Sequence, residues 1–376
     1  MSTLPFSDSR RRLLQAGGAS LLLPACTRRI ARPAPSFGGD PFSLGVASGE
    51  PQADGFVIWT RLAPDPLVDE SGAGGMPPES VDVEWLVAED EQLHQIVREG
   101  IALAEPEWAH SLHVEVEGLK PDRPYWYAFR VGNWQSRIGR ARTTPKAGSP
   151  VAGLRLAFAS CQHFETGFYA AYRHMVADDP DLILHLGDYL YEGSTNSPVR
   201  RHEAPREPRT LADYRRRHAC YKCDPDLQAA HAHAPWLVTW DDHEVDNDYA
   251  GLHGSEANED PEVFAARRSV AYRAYWEHMP LRLRARPTAE DMPLFTVCDY
   301  GALLRIQILD TRQYRSDQPC GSPERLGGQV TPGCAERTDP AREMLGPAQE
   351  QWLLHGLDQS RAQWNVIAQT MLMASL

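Results

Sequence analysis

The sequence predicts a protein of the α/β (α+β) class, with an amino-terminal Ig-like β-sandwich followed by an α/β domain. Two observations predict this. Between residue 41 and about residue 145, apolar and polar residues alternate, as they do in strands with one buried face. Beyond residue 150, short apolar runs alternate with helix-like segments, which is typical of a sheet that is at least partly parallel.

Composition narrows the class of protein before any motif is considered. The 376 residues are 42% hydrophobic and 24% charged, which is ordinary for a soluble globular chain of one large or two smaller domains. The net charge of −13 argues against a nucleic-acid-binding role, because such a role needs a basic surface. It fits a protein that gathers carboxylates around cations. The sequence gives no prediction of oligomeric state.

The amino terminus reads as an export signal. In residues 9–26 (SRRRLLQAGGASLLLPAC), an arginine cluster precedes an apolar run that ends at Leu23, as in twin-arginine signals. The run is too short to span a membrane. Cys26 ends a segment that resembles a lipoprotein cleavage box, so it is a candidate lipid anchor; cleavage without lipid is the alternative. We expect export by the twin-arginine machinery to the periplasm or another extracytoplasmic location, with residues 1–40 as signal and linker.

The predicted amino-terminal β domain covers residues 41–148. Its alternating runs are DGFVIWTRL, VDVEWLVAED, HSLHVEVEGL and PYWYAFRVG. The segment GLKPDRPYWYAF resembles the corner of an Ig-like sandwich, in which a tyrosine hydroxyl bonds to an upstream backbone group. A generic β-meander is the alternative. The turn-rich segment TTPKAGSP (143–150) marks the end of the domain.

The second domain, residues 149–376, contains five apolar runs that we predict to be strands covered on both faces. They are LRLAFAS (154–160), LILHLG (182–187), WLVTW (236–240), LLRIQIL (303–309) and WNVIAQ (364–369). Helix-like segments lie between them: FYAAYRHMVAD, LADYRRRHACY, VFAARRSVAYRAYWEHM and PAQEQWLLHGLDQ. Among the cysteines, Cys220 and Cys223 form a weakly supported zinc motif near a helix end, and Cys320 and Cys334 bracket a loop that a disulfide could close.

Candidate metal ligands follow four of these runs directly. Cys161 follows the first, Asp188 and Tyr191 follow the second, Asp242, His243 and Asn247 follow the third, and Asp310 follows the fourth, two residues before Arg312, which is a candidate phosphate-binding residue. Ligands of open α/β sheets bind beyond the carboxyl ends of strands, so a shared site is expected there. An aspartate that caps a helix explains one such end but not four. Crowded carboxylates repel one another, and one carboxylate bridging two cations would remove that repulsion.

The ligand types narrow the choice of metal. Carboxylate and amide oxygens suit calcium or magnesium, whereas a thiolate and a phenolate favour a trivalent ion such as ferric iron. The alternatives are that Tyr191 only packs in its loop and that Cys161 is an ordinary buried thiol.

At these residues the sequence resembles the PhoD-type alkaline phosphatases, relatives of the calcineurin-like metallophosphoesterases. The stretches that carry the resemblance are FSLGVASGEPQADGFVIWTRL (42–62), FASCQ (158–162), LHLGDYLYE (184–192), PWLVTWDDHEVDND (235–248) and LDTRQYRS (309–316). The resemblance implies an Ig/Fn3-like amino-terminal domain, a metallophosphoesterase-type α/β sandwich, and hydrolysis of phosphate mono- or diesters as small substrates.

The resemblance also implies roles for individual residues. Cys161, Asp188 and Tyr191 would hold Fe³⁺, Asp188 would bridge to Ca²⁺, and Asn247 would join the calcium side. Asp242 and His243 lie in a motif that elsewhere in the superfamily supplies a metal ligand and a phosphate-facing histidine. Zn²⁺, Mg²⁺ or Mn²⁺ are alternative metals.

Two residues are candidates for catalysis. His243 would donate a hydrogen bond or a proton to the leaving group, unless it is structural; Arg312 would bind the phosphate, unless it pairs with Asp310 or Asp317. The arginine-rich run 199–218 is either a solvated helix face or a basic rim that attracts phosphate esters. His231 and His233 precede a strand, at the wrong end of the sheet for this site.

One feature departs from the family pattern. The family continues beyond a strand like WNVIAQTMLM into a segment with a GDxH motif, and this sequence reaches Leu376 without it. We therefore expect an incomplete set of metal ligands in the present chain. The alternative function is an exported metal- or phosphate-binding protein whose catalysis is impaired.

Overall fold

Three β-sheets organise the computed structural model, which describes residues 34–67, 70–195, 197–256, 260–289, 291–321 and 332–373. The strands are β1 (Val46–Gln52), β2 (Gly55–Arg61), β3 (Val81–Ala88), β4 (Ile96–Ala104), β5 (Ser111–Val116), β6 (Pro124–Val131), β7 (Trp134–Gln135), β8 (Gly139–Arg142), β9 (Leu156–Ala159), β10 (Leu182–Leu186), β11 (Pro235–Thr239), β12 (Thr296–Tyr300), β13 (Leu304–Ile308) and β14 (Trp364–Ala368). The helices are α1 (Ala170–Ala177), α2 (Leu211–Lys222), α3 (Pro225–His233), α4 (Pro261–His278) and α5 (Pro347–Gln359). The mixed α/β class is confirmed. The predicted export signal and Cys26 lie outside the described residues.

The largest sheet crosses the predicted domain boundary. Its order is β5-β2-β1-β11-β10-β9, and β1 pairs antiparallel with β2 and parallel with β11, with Ser48 opposite Pro235. Strand β2 is therefore buried on both faces, so the expectation of one exposed face was wrong there. One face, with Phe56, packs in the core of the β layers, and on the other the Trp59 indole donates to the Glu277 carbonyl of α4 at 3.1 Å. The division near residue 148 stays a prediction.

The second sheet completes the amino-terminal β layers. Its order is β4-β3-β6-β7, with β8 also paired to β6. Apolar side chains of β3 and β6, such as Val83 and Phe129, share one core with β2. The predicted sandwich corner is present, because the Tyr125 hydroxyl accepts from the Lys120 N–H at 2.9 Å and lies 3.2 Å from the Lys120 carbonyl oxygen.

The five predicted strands of the second domain are all strands, but they divide between two sheets. Strands β9, β10 and β11 run parallel in the large sheet, and β13 and β14 join β12 in a separate three-stranded sheet. A shared core that includes Leu184 and Ile306 lies between the sheets. The prediction of burial on both faces was wrong for β9 and β14: each is an edge strand among the described residues, and Phe158 and Trp364 are 70% and 62% exposed.

The four predicted helices are confirmed as α1, α2, α4 and α5, and α3 was missed. Helix α3 begins at Pro225, capped by Asp224, and it contains His231 and His233, which precede β11 as predicted. Most of α2 is buried, so a solvated helix face was the wrong interpretation of its arginines. No helix among the described residues is long and apolar enough to span a membrane.

The cysteines divide into one pair and four free thiols among the described residues. Cys320 and Cys334 form a disulfide, which confirms the bond suggested by the loop between them. Cys220 is buried near the end of α2, and Cys223 follows that helix directly. Both are free, as is Cys161.

Candidate metal centre

Three neighbouring parallel strands bring the first candidate ligands to one edge. Because β9, β10 and β11 are adjacent and parallel, the residues that follow them lie together. The Cys161 N–H donates to the Gly187 carbonyl at 3.1 Å, and the Gln162 N–H donates to the Asp188 carbonyl at 3.1 Å. The chain after β9 is thus fastened to the chain after β10.

The local backbone at these ends is unusual. Cys161 and Asp188 have φ values of 54° and 53°, in the left-handed region, which costs about 1–3 kcal/mol for each such residue. Gly187 has φ of 90°, and a Cβ there would lie 2.4 Å from the Asp241 nitrogen. Only glycine fits at this crossing between β10 and β11. The Gly-Asp pair therefore sets the direction in which the Asp188 side chain leaves the sheet.

Asp188, Asp242 and His243 form the centre of the site. Each offers a ligand atom, and these atoms lie within 4.8 Å of one another. Asp188 Oδ2 accepts from the Tyr191 hydroxyl at 2.9 Å, whereas Oδ1 is buried without a hydrogen-bond partner among the described residues. Burial and the charges of the neighbouring aspartates, opposed by the charge of His243, together raise the pKa of Asp188 to about 6.

Cys161 and Tyr191 complete one side of this centre. The Cys161 thiol interacts with the side chains of both Asp188 and Tyr191. Cys161 is an exposed residue, so the alternative that it is an ordinary buried thiol was wrong. Partial desolvation and the Asp188 charge raise the pKa of its thiol, and burial and the same charge raise the pKa of Tyr191, so both groups are neutral in the absence of a cation. The Tyr191 ring packs between His163 and His243, with ring centroids 4.4 and 4.2 Å away. A nearby cation would favour the thiolate and phenolate instead.

A buried glutamate connects the two halves of the site. Glu192 Oε2 lies 2.7 Å from His243 Nδ1, and Glu192 Oε1 accepts from the Asn247 N–H at 3.0 Å. Burial alone would lower the pKa of His243, but the hydrogen bond and charge of Glu192, with Asp242 and Asp188, raise it to about 9. Sequence analysis missed Glu192. The only signal for it is an acidic residue directly after Tyr191 in LHLGDYLYE.

Arg312 follows β13 of the three-stranded sheet, and its guanidinium binds carboxylates of the site. Its side chain is 4% exposed; Nε donates to Asp241 Oδ1 at 2.6 Å, and Nη1 and Nη2 lie 3.2 and 3.4 Å from oxygens of Asp248 and Asp242. The suggested ion pair between Arg312 and Asp310 was wrong. The backbone N–H of Arg312 donates to the Asp310 carboxylate, but its guanidinium does not. A phosphate contact of Arg312 stays a prediction.

Most of the negative charge in WDDHEVDND has a partner within the protein. Arg312 holds Asp241, Asp242 and Asp248; the N–H groups of Tyr189 and Asp241 donate to Glu244; and Ser255 and Arg267 hold Asp246. These partners compensate only part of the charge, because burial still raises the pKa values of Asp241, Glu244 and Asp246. Among the described residues, Asp188 on the neighbouring strand end has a buried carboxylate oxygen without a hydrogen-bond partner.

The residues present fit a bound cation. The orphaned Asp188 oxygen faces a carboxylate and an imidazole, and a thiol and a phenol adjoin it. The structure brings together Cys161, Asp188, Tyr191, Asp242 and His243, and it links Asn247 to them through Glu192. The identity of the metal, Fe³⁺ or Ca²⁺ among them, stays a prediction.

Comparison with known proteins identifies the family of the chain. The family model described as "PhoD-like phosphatase" matches residues 156–376, and "PhoD-like phosphatase, N-terminal domain" matches residues 27–145. The chain is 48% identical over 347 residues to alkaline phosphatase D of Bacillus subtilis (strain 168), covering 91% of this chain and 58% of that protein. A solved structure titled "Structure of PhoD" superposes with a TM-score of 0.86 at 47% identity, covering 91% of this chain and 64% of that one.

The present chain thus spans about three fifths of the length of these relatives. Since the first family model covers more than half of the sequence, the chain belongs to the PhoD-like phosphatase family.

Proposed function

We propose that this chain is a metal-dependent phosphohydrolase that cleaves small phosphate mono- or diesters. The observation that carries the proposal is the orphaned Asp188 oxygen, buried among the side chains of Asp242, His243, Cys161 and Tyr191 at the carboxyl ends of parallel strands. The chain's similarity to an alkaline phosphatase of Bacillus subtilis supports the same class of reaction.

In this proposal Cys161, Asp188 and Tyr191 would hold Fe³⁺, and Asp188 and Asn247 would hold Ca²⁺, with Zn²⁺, Mg²⁺ or Mn²⁺ as alternatives. Asp242, which offers a ligand atom within 4.8 Å of those of Asp188 and His243, would be a further ligand. When bound, the metals would activate water as a nucleophile near neutral pH and offset the charge of the phosphate oxygens.

The remaining residues orient the ester. His243, fixed through Nδ1 by Glu192, has Nε2 available to donate a hydrogen bond to a phosphate oxygen or to the leaving group. Arg312 holds Asp241, Asp242 and Asp248 in place; it would contact the phosphate only by exchanging one of these partners. Its first role in the proposal is therefore to position carboxylates.

We also propose that the protein is exported by the twin-arginine machinery and acts outside the cytoplasm, with Cys26 as a candidate lipid anchor. The arginine cluster and apolar run of residues 9–26 support this. Mass spectrometry of the mature amino terminus tests it: a diacylglyceryl Cys26 supports anchoring, and an unmodified terminus beyond residue 26 argues against it.

The function is tested on protein purified after native export. We expect bound metal by elemental analysis and hydrolysis of p-nitrophenyl phosphate or its bis-ester. Asp188→Ala should lose both metal and turnover, and Asp226→Ala, which removes a carboxylate paired to Arg173 away from the site, should keep both.

Two outcomes would contradict the proposal. Metal retention without hydrolysis by the wild-type chain would favour the alternative of an impaired metal- or phosphate-binding protein. Hydrolysis by Asp188→Ala at the wild-type rate would remove this site from the reaction.

A further inference from the structure

Helix α2 holds the backbone of the candidate ligand Tyr191 from both sides. The Tyr191 N–H donates to the Tyr221 hydroxyl oxygen at 2.9 Å. The Tyr191 carbonyl accepts from Arg217 Nη1, which also donates to the Glu192 carbonyl at 2.6 Å. Arg217 and Tyr221 are four residues apart on α2, so they lie on the same face of the helix.

Arg217 uses its donors on peptide carbonyls. It is 3% exposed, and Nη2 donates to the carbonyls of Ala204 and Arg206 at 2.8 and 3.0 Å. No carboxylate of the described residues forms an ion pair with it, and burial lowers its pKa. Burying a guanidinium that bonds only to main-chain carbonyls costs free energy, and its effect here is to hold the chain at Tyr191 and Glu192 against the segment that contains Ala204 and Arg206.

The Tyr221 hydroxyl connects this segment to the one that follows Cys161. It accepts from the Phe164 N–H at 3.4 Å as well as from Tyr191, and it lies 3.2 Å from His202 Nε2, to which it can donate its proton. Phe164 is three residues beyond Cys161, and both segments therefore meet at one buried oxygen. That oxygen fixes the separation of the two ligand-bearing segments.

We propose that Arg217 and Tyr221 are positioning residues that hold the Tyr191 phenol and the Cys161 thiol at the separation at which one cation binds both. This inference rests on the metal site of the proposed function. It gives the arginine-rich run a role that is neither a solvated face nor a basic rim: one of its arginines points inward and supports the site. Neither residue touches the substrate in this proposal.

The test uses Tyr221→Phe and a matched control, Tyr125→Phe. Both substitutions remove a buried hydroxyl that accepts from a backbone N–H, but Tyr125 bonds to Lys120 in the amino-terminal β layers. Metal-free protein is titrated with Fe³⁺, and the visible tyrosinate-to-iron charge-transfer absorption is recorded with the dissociation constant, at a temperature at which all variants are folded.

We expect Tyr221→Phe to bind Fe³⁺ at least tenfold more weakly and to shift or lose the absorption band, while Tyr125→Phe matches the wild type. Arg217→Lys keeps the charge without the planar fork and should also weaken binding, which makes the prediction independent of one variant's folding. Wild-type affinity and band in both site variants would overturn the inference alone. A wild-type chain with no Fe³⁺ band would overturn the iron assignment of the proposed function together with it.

Discussion

Asp188→Asn should stabilise the metal-free protein while abolishing metal binding. The substitution keeps the shape of the side chain and removes one charge. In the fold that charge lies near Asp242 and Asp241, and Oδ1 has no hydrogen-bond partner among the described residues. Neutralising a buried aspartate that has hydrogen-bond partners usually lowers the free energy of unfolding. An increase on Asp188→Asn would therefore distinguish Asp188 from such aspartates.

The magnitude follows from the pKa of Asp188, which burial and neighbouring charge raise from 3.8 to about 6. A raised carboxyl pKa means that the folded state binds the proton more tightly, so stability falls as pH rises from 3.8 through 6. A difference of about two in pKa corresponds to about 3 kcal/mol at pH 8. Because the asparagine amide would face the same partnerless position, we expect a net gain of about 1–3 kcal/mol.

Urea unfolding in the presence of a chelator measures this free energy at pH 8 and pH 5. The gain should shrink at pH 5, where the wild-type carboxyl is largely protonated. The matched control is Asp213→Asn, because that carboxylate accepts from Thr210 Oγ1 at 2.7 Å and Arg206 at 2.7 Å, and its pKa is lowered. The control should lose about 1–3 kcal/mol.

A loss of stability in Asp188→Asn at pH 8 without metal would refute the electrostatic reasoning. With Fe³⁺ or Ca²⁺ added, the wild type should gain stability in proportion to the logarithm of metal concentration, and the variant should not. A metal-dependent gain in both proteins would show that the cation binds elsewhere.

Three further predictions concern the scaffold. Burial lowers the pKa of His113 and of His185 to about 3, so the folded state is fully stable with respect to these groups above pH 6.5 and loses stability as pH falls from 6.5 toward 3. In urea unfolding, the free energy of unfolding should fall by about 1.4 kcal/mol per pH unit for each group in that range. His185→Phe should reduce that slope. Gly187→Ala, at φ of 90°, should lower the free energy of unfolding by more than about 1 kcal/mol and weaken metal binding; wild-type stability would contradict the crossing geometry. Replacing Cys320 and Cys334 by serine should cost about 2–4 kcal/mol in urea without changing metal affinity.

The common edge of the site could be predicted because it depends on topology alone. Consecutive parallel strands with crossover helices place their carboxyl ends together, so Cys161, Asp188 and Asp242 were expected to meet from the order of runs and their last residues. The alternation of apolar residues and the turn residues of GLKPDRPYWYAF were also enough to predict the sandwich corner at which the Tyr125 hydroxyl bonds to Lys120.

The partners of those residues could not be predicted in the same way. Arg312 follows a strand of a different sheet, and the sequence does not say which sheet a short apolar run joins. The burial of the second face of β2 depends on packing against α4, where Trp59 bonds to Glu277, 218 residues further along the chain. Arg217 and Tyr221 carry no periodic or motif signal, and the place of Glu192 in LHLGDYLYE does not reveal its partners, because these roles arise from tertiary contacts.

The distribution of charge explains how such a site can exist in a folded protein without its metal. If every carboxylate of WDDHEVDND were uncompensated, their mutual repulsion would exceed the roughly 5–15 kcal/mol by which domains are stable. The protein instead pairs much of that charge with Arg312 and Arg267 and hydrogen-bonds Glu244 to backbone N–H groups, and among the described residues Oδ1 of Asp188 is a buried carboxylate oxygen without a partner. That oxygen belongs to a residue in a left-handed conformation, whose direction the Gly187 crossing sets. A cation that binds there relieves a local cost of a few kcal/mol, which is enough to make binding selective for the folded state.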